Sequence, residues 1–156
     1  MGDELQYLPT TLGKAAPKGR LTTLQKAEFI RAVEIFSQAP VEELYRLAAI
    51  AQEVEFHAQQ TVYQEDDIGD AFYVVVQGKV ECVSESKKIH AVAGPGETVG
   101  IHSVLTREPR YASARALEDT FAIALGAEDL YNLLSCNTEI MTSILKYFVK
   151  KTGIAP

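Results

Sequence analysis

The repeat of apolar residues along the chain changes twice, and each change predicts a different kind of secondary structure. Residues 22–52 place apolar side chains three or four positions apart, which predicts helices. Residues 53–126 alternate apolar and polar side chains, which predicts strands, and helical spacing returns over residues 127–152. Residues 1–20 have scattered proline and glycine and no sustained repeat, so we interpret them as a linker or tail. The pattern therefore predicts one domain over residues 21–156.

The first helical region predicts two helices. Thr22 and Gln25 have the spacing of a capping box, in which each side chain accepts a hydrogen bond from the other residue's backbone N–H. Pro40 suits the first position of the second helix. The positions expected to face the core are Leu24, Ala27, Ile30 and Val33 in the first helix, and Leu44, Leu47, Ala48 and Ala51 in the second.

The alternating region predicts eight short strands separated by turn residues, the rhythm of an antiparallel sandwich or barrel. The predicted strands are residues 53–58, 61–64, 71–77, 79–85, 88–93, 97–100, 111–117 and 120–126. Eight strands with helices at both ends predict a mainly β fold, an eight-stranded antiparallel jelly roll.

The C-terminal region predicts a short helix over residues 127–135 and a longer helix that Asn137 or Thr138 caps and Gly153 ends. Two interpretations of the longer helix stay open. Its apolar face packs on its own barrel, or it docks and undocks as part of a signal. That face consists of Ile140, Ile144, Leu145, Phe148 and Val149.

Composition narrows the class of protein. The chain has 156 residues, 47% of them hydrophobic, which suits one domain with a full core. Its net charge of −6 repels nucleic acid, and its longest apolar runs are far below the ~20 residues of a membrane span. Cys82 and Cys136 are expected to be small buried hydrophobes in a reduced environment. We therefore expect a cytoplasmic protein without direct membrane insertion, with attachment to a membrane protein through residues 1–20 as an alternative.

The segment from Gly94 to Asp119 carries the candidate chemistry. After a tight turn, Gly100 begins a short apolar helical turn, and Arg110 opens the next strand. This order places the free backbone N–H groups of a helix start near a guanidinium, and such a corner can hold one anion. An arginine supplies a fork of donors that suits phosphate. The alternative is a surface arginine paired with Glu108 or Glu118.

Several motifs in this order resemble the cyclic nucleotide-binding domain family over residues 24–149. The family's jelly roll cradles its ligand with a short helix, the phosphate-binding cassette, which the resemblance places at residues 100–112. It implies that Arg110 pairs with the phosphate of cAMP or cGMP, and that backbone amides around His102, Ser103 and Ala112 complete the site. The motifs are EIFSQAPVEEL, QEDDIGDAFYVVVQGKVEC, GPGE and LTREPRYASARALED.

The cassette departs from the family pattern at its ligand-binding positions. Ile101 stands where the family has a glutamate that accepts a hydrogen bond from the ribose 2′-hydroxyl. An unpaired buried hydroxyl costs about 1–3 kcal/mol, which is roughly 10- to 100-fold in affinity. Tyr111 stands where the family has a small residue, and it either fills the pocket or points outward from a strand. Asp66 replaces a turn glycine, a conformation that aspartate can also adopt.

Other chemistries find no support in the sequence. His57, His90 and His102 are scattered, so no metal site is expected, and only His102 is a candidate anion contact. No GxSxG motif or acid–base pair indicates an enzyme. No recognition helix for DNA is expected after the last helix. The candidate ligand-binding residues are Gly100, Ile101, His102, Ser103, Arg110, Tyr111 and Ala112.

These observations predict a regulatory sensing module of a larger, bacterial-type protein, fused to or associated with an effector domain. We expect its cyclic nucleotide binding to be weakened or lost because of Ile101. One alternative is a working module for cAMP, cGMP or another phosphorylated ligand, which uses Arg110 and the cassette amides. Another is a ligand-free interaction module whose pocket is closed by Ile101 and Tyr111. A homodimer through residues 138–151 is a further expectation, with Met141, Leu145 and Phe148 as candidate contacts.

Overall fold

A computed structural model of the chain describes residues 21–152. The predicted tail and the predicted stop at Gly153 lie outside these residues. The helices are α1 (Thr23–Ala32), a 3-10 helix (Glu34–Phe36), α2 (Val41–Ile50), α3 (Ile101–Thr106), α4 (Ala127–Cys136) and α5 (Thr138–Thr152). The strands are β1 (Gln52–Phe56), β2 (Thr61–Tyr63), β3 (Ala71–Gln77), β4 (Val80–Ser84), β5 (Ile89–Ala93), β6 (Thr98–Val99), β7 (Ser113–Ala116) and β8 (Thr120–Gly126).

The strands form two four-stranded sheets, in the orders β1-β8-β3-β6 and β2-β7-β4-β5. Every strand pairing is antiparallel. The predicted jelly roll with flanking helices is therefore confirmed. β3 and β8 run over the predicted residues, whereas β6 and β7, on either side of α3, are shorter than predicted.

The side chains of β3 and β8 divide between two cores because alternate residues of a strand point to opposite faces. Phe72 and Val74 of β3 pack with Ile123 of β8 on the side that the helices cover. On the other side, Val75 joins an apolar cluster with residues of the second sheet. The sheet β1-β8-β3-β6 is thus the middle layer, with helices on one face and the second sheet on the other.

The capping box at α1 is present as predicted. The Gln25 backbone N–H donates to the Thr22 hydroxyl at 3.1 Å, and the Thr22 backbone N–H donates to the Gln25 side-chain oxygen at 2.9 Å. The prediction that Leu24 is buried is wrong, because Leu21 packs against the core just before the helix and Leu24 is left exposed. The other predicted core positions of α1 and α2, from Ala27 to Ala51, are buried.

The apolar face predicted for α5 is divided between core and surface. Ile140 and Ile144 are buried in the helical core, and Phe148 packs against it. Leu145 and Val149 lie one position further round the helix and are exposed, so the interpretation that the face packs on its own barrel is wrong for these two residues. With Met141 they form an exposed stripe at intervals of four residues, which we call the α5 stripe.

Neither cysteine is fully buried, so that expectation is wrong: Cys82 is half-buried, Cys136 is exposed, and both are free thiols. Among residues 21–152, no helix has the length and apolar character needed to cross a bilayer. The same part of the chain contains no group of histidine, cysteine and carboxylate side chains able to hold a metal ion.

Candidate functional site

Arg110 lies inside the fold, with 2% of its surface exposed. Its Nη1 donates to the Gly100 carbonyl at 2.8 Å and to the Ser103 hydroxyl at 3.0 Å. Its Nη2 donates to the Ala71 carbonyl. The alternative of a surface arginine paired with Glu108 or Glu118 is therefore wrong, because the Arg110 side chain points inward to α3 and β3.

The turn between β2 and β3 holds the backbone of Arg110 in place. The Arg110 N–H donates to the Asp67 carbonyl at 2.7 Å, and the Asp66 N–H donates to the Arg110 carbonyl at 2.7 Å. Asp66 has a φ of 74°, so aspartate does adopt the left-handed turn conformation expected of it. The Asp67 carboxylate accepts from the Gln64 N–H at 3.0 Å and closes the turn. Two backbone hydrogen bonds thus fix the point from which the guanidinium extends.

Two glycines enclose the guanidinium. Gly100 has a φ of +85°, and a Cβ atom there would lie 2.5 Å from Nη1 of Arg110. A Cβ atom on Gly69 would lie 2.7 Å from the Ser103 hydroxyl oxygen and 3.3 Å from Nε of Arg110. Real Cβ atoms essentially never come within 3.0 Å of another atom, so Gly100 leaves the space that Arg110 needs and Gly69 leaves the space that the Ser103 hydroxyl needs.

The Tyr63 ring forms another wall of the site. The guanidinium carbon of Arg110 lies 4.0 Å from the ring centre, which is a cation–π contact. Burial raises the pKa of the Tyr63 phenol, and the positive charge of Arg110 only partly offsets this effect. Burial also raises the pKa of the neighbouring Cys82 thiol. Both groups are therefore uncharged near neutral pH, and the charged group beside them is the guanidinium of Arg110.

The guanidinium has donors without acceptors. Arginine carries five N–H groups, and the three hydrogen bonds above use three of them. Nε is buried and has no hydrogen-bond partner among the described residues. Within residues 21–152, no carboxylate forms an ion pair with Arg110. A buried cation without a counter-ion is unfavourable, and an incoming anion would relieve the cost.

The helix that follows Gly100 is tied to the C-terminal helices. The Tyr131 hydroxyl of α4 donates to the Val104 carbonyl of α3 at 2.6 Å. Arg107 ends α3 in the left-handed conformation, and its guanidinium lies 3.9 Å from the centre of the Tyr131 ring. These two contacts join α3 to α4.

A cavity of about 640 Å³ lies beside Arg110, within the range of small-molecule sites. It lies among β4, β5 and α3, and Tyr147 and Lys151 of α5 also line it. Tyr111 does not fill this space, because its side chain is 42% exposed. The Tyr111 ring lies 4.6 Å from the ring of His102, which is also exposed. β7 begins at Ser113, two residues after the predicted start, so Tyr111 precedes the strand.

The comparison with protein families shows to which family the chain belongs. Residues 53–137 match the family described as cyclic nucleotide-binding domain. The chain belongs to this family. A solved structure of the N-terminal domain of a transcriptional regulator from Streptomyces coelicolor is 30% identical, with a TM-score of 0.65, and the match covers 80% of this chain and 90% of that one.

The curated relatives of this cyclic nucleotide-binding domain are longer proteins. An uncharacterized NTE family protein of Mycobacterium tuberculosis is 26% identical over 136 residues, which cover 87% of this chain and 23% of the relative. The cyclic AMP receptor protein of Thermus thermophilus is 38% identical over 77 residues, which cover 47% of this chain and 36% of the relative. The chain thus spans well under half the length of either relative.

The fold brings all seven candidate residues of the cyclic nucleotide-binding domain to one place. Each of them lines the cavity of about 640 Å³. Sequence reasoning missed three residues that surround the guanidinium, Tyr63, Gly69 and Ala71. Gly69 lies within a motif that carried the family resemblance, but nothing in the sequence placed it against a side chain 41 positions later. Tyr63 and Ala71 have ordinary strand patterns, and only the folded backbone brings them to Arg110.

Proposed function

We propose that this domain is the sensing part of a longer regulatory protein and that it binds cyclic nucleotides weakly. The observation that carries the proposal is the position of Ile101, which lines the cavity directly after the glycine whose carbonyl meets Arg110. An isoleucine cannot accept a hydrogen bond from a ribose hydroxyl. We expect the unpaired hydroxyl to weaken binding by roughly 10- to 100-fold compared with a carboxylate at this position.

The hydrogen bonds of Arg110 support low affinity as well. Its Nη1 already donates to the Gly100 carbonyl and to the Ser103 hydroxyl. A phosphate that approached this edge of the guanidinium would have to compete with both acceptors, which belong to the start of α3. Binding would therefore move the start of α3, and the Tyr131–Val104 hydrogen bond would pass that movement to α4.

The effector and the assembly form part of the same proposal. Because the relatives are longer, an effector domain is proposed to be fused to this domain or associated with it, and the domain itself is proposed to be non-catalytic and cytoplasmic. The α5 stripe is proposed to join two copies in a homodimer. Phe148 is not part of this surface because it packs on its own core.

A second candidate function follows from the open cavity. In the ligand-free alternative, Ile101 and Tyr111 would close the site, and the domain would act only by presenting its helices to a partner. The volume of about 640 Å³ beside Arg110 and the exposure of Tyr111 favour a site that still accepts a phosphorylated ligand other than a cyclic nucleotide. In this version, Arg110 and the amides of His102, Ser103 and Ala112 hold the phosphate.

Calorimetric titration with cAMP and cGMP tests the proposed function. The wild-type domain should bind either nucleotide weakly, and Ile101→Glu should increase the affinity at least tenfold, whereas Ile101→Leu should leave it unchanged. Tight binding by the wild type, unaltered by Ile101→Glu, would show that this position does not limit recognition and would refute the proposal.

A further inference from the structure

We propose that the cavity beside Arg110 takes an organic phosphate with an aromatic or apolar body and no hydroxyl group next to the phosphate. This inference rests on the proposed function in one respect, the use of Arg110 as the seat of an anion. It adds the chemical class of the ligand, which follows from what surrounds the guanidinium and lines the rest of the cavity.

The anionic part of the ligand follows from the state of Arg110. The side chain is more than nine-tenths buried, its Nε has no hydrogen-bond partner among the described residues, and it contributes to the cavity lining. Phosphate oxygens accept from adjacent N–H groups of a guanidinium, and this pairing is strong where water is excluded. A phosphate at Nε would thus supply both the missing acceptor and the missing negative charge.

The groups around the guanidinium are already engaged in hydrogen bonds, mostly with Arg110 itself. The Ser103 hydroxyl accepts from Nη1 of Arg110 and donates its single proton to the Gly100 carbonyl, so it has no proton left to donate to a ligand. Other neighbours are the Tyr63 phenol and the Cys82 thiol, which interact with each other, and the backbones of Gly69, Ala71 and Gly100. The Gly100 and Ala71 carbonyls already accept from Arg110. A hydroxyl beside the phosphate would therefore give up its hydrogen bonds to water and would have to share acceptors that Arg110 already uses.

The two carboxylates that line the cavity belong to other parts of its wall. Glu97 lies in the GPGE turn, where its Oε1 accepts from the Gly94 N–H at 2.7 Å. Glu34 lies in the 3-10 helix that packs on α5. Neither carboxylate forms an ion pair or a hydrogen bond with Arg110, so neither lies at the proposed seat of the phosphate.

The rest of the lining suits an aromatic body. His102, Tyr111 and Tyr147 contribute rings to the cavity, and Ile101 and Val92 contribute apolar side chains. Rings stack on planar ligands without demanding hydrogen bonds. A volume of about 640 Å³ accommodates a phosphate carrying one or two fused rings.

Fluorescence titration with 1-naphthyl phosphate tests the inference. The chain has no tryptophan, so naphthyl emission can be excited without a tryptophan background. Ribose 5-phosphate, as a competitor, has the same charged group on a hydroxyl-rich body, and 1-naphthol has the same rings without the phosphate. We expect 1-naphthyl phosphate to bind at least tenfold more tightly than either compound.

Two variants locate the binding. Arg110→Gln should abolish phosphate binding, with circular dichroism as the check on folding. If Arg110→Gln unfolds, Ile101→Glu provides the test. A carboxylate beside Arg110 should weaken the binding of 1-naphthyl phosphate at least tenfold. It should also reduce the ratio between the affinities for 1-naphthyl phosphate and ribose 5-phosphate. Ile68→Glu makes the same change at a highly exposed turn position outside the cavity lining and should alter neither affinity.

The outcomes separate this inference from the proposed function. Equal or tighter binding of ribose 5-phosphate would overturn the ligand class and leave Arg110 as the anion seat. Equal binding of 1-naphthol would show that the rings bind without the seat and would also overturn the inference. No binding of any phosphate by folded wild-type and Ile101→Glu domains, with cAMP included, would refute the seat and the proposed function together.

Discussion

Nη1 of Arg110 donates to the carbonyl of Gly100 at 2.8 Å, and this hydrogen bond joins the buried guanidinium to the N-cap residue of α3. The same glycine has a φ of +85° and leaves no space for a side chain on the guanidinium side. The start of α3 and the position of the arginine therefore form one structural unit. A change at either residue should be felt at the other.

Gly100→Ala should destabilise the domain more than Gly96→Ala does. The two glycines have nearly the same φ, +85° and +87°, so each substitution costs about 1–2 kcal/mol for a left-handed alanine. A Cβ atom on Gly100 would also lie 2.5 Å from Nη1 of Arg110, whereas one on Gly96 meets nothing within 4 Å. We expect an additional loss of about 1–3 kcal/mol for Gly100→Ala. Urea unfolding of both variants measures the difference in stability. Equal losses would mean that the added methyl group at position 100 does not clash with Arg110.

Tyr131→Phe should loosen α3 without unfolding the domain. The change removes the hydrogen bond to the Val104 carbonyl and keeps the ring that Arg107 covers. The loss should be about 1 kcal/mol of stability, with faster amide hydrogen exchange in residues 101–107. Tyr45→Phe, at an exposed position of α2, is the control and should leave both measurements unchanged. Unaltered exchange in α3 would argue against coupling through Tyr131.

The Glu81 cluster should make stability depend on pH in the acid range. Hydrogen bonds from His90 and Arg115 lower the pKa of the Glu81 carboxyl below its ordinary value of 4.5. A lowered pKa in the folded state gives stability that is fully present above pH 4.5 and is lost as the pH falls through the folded value. Wild type should therefore be more stable than Glu81→Gln near neutral pH, and the difference should shrink below pH 4.5.

Urea midpoints between neutral and acid pH measure this difference. Glu85→Gln alters a glutamate in the adjacent turn, outside the cluster, and should leave the acid dependence as it is. Because the cluster is exposed, added salt should reduce the effect of Glu81→Gln. A gap between wild type and Glu81→Gln that stays constant or widens as the pH falls would contradict the assigned pKa.

Leu145→Glu should prevent self-association through the α5 stripe. Leu145 is 62% exposed in the middle of that stripe, so a charge there would be buried in a two-helix contact. Sedimentation equilibrium should show a concentration-dependent dimer for wild type and a dissociation constant at least tenfold higher for Leu145→Glu. Leu24→Glu, an equivalent change at an exposed position of α1, should not alter the dimer. A wild-type chain that stays monomeric at every concentration would refute the dimer.

Much of the fold could be predicted because local pattern and tertiary environment agree in most strands. β3 and β8 carry long apolar runs, cross the centre of the first sheet and begin and end where the sequence indicates. β7 starts later than predicted because its first two predicted residues follow Arg110 and belong to the bend that presents it. Strand character alone could not show that these residues belong to the bend rather than to the sheet.

The wrong predictions in the helices concern apolar residues at the edge of a helix face, which do not reach the core. Leu145 and Val149 fit a helical repeat, but only the positions of Ile140 and Ile144 reach the core. A sequence pattern shows that a helix has an apolar stripe, but it does not fix which residue lies at the centre of that stripe to better than one position. The surroundings of Arg110 could not be predicted for a different reason, since Tyr63, Gly69 and Ala71 meet it only through the crossing of the chain in the jelly roll.

The affinity ratio of cAMP and 2′-deoxy-cAMP tests most directly whether the site lacks an acceptor for the ribose hydroxyl. Calorimetry on wild type should show that 2′-deoxy-cAMP binds more tightly than cAMP, by roughly tenfold, because the 2′-hydroxyl of cAMP loses its hydrogen bonds to water beside Ile101 and gains none. Ile101→Glu should favour cAMP by roughly tenfold or more. A wild-type domain that already prefers cAMP over the deoxy compound by tenfold would contradict the account.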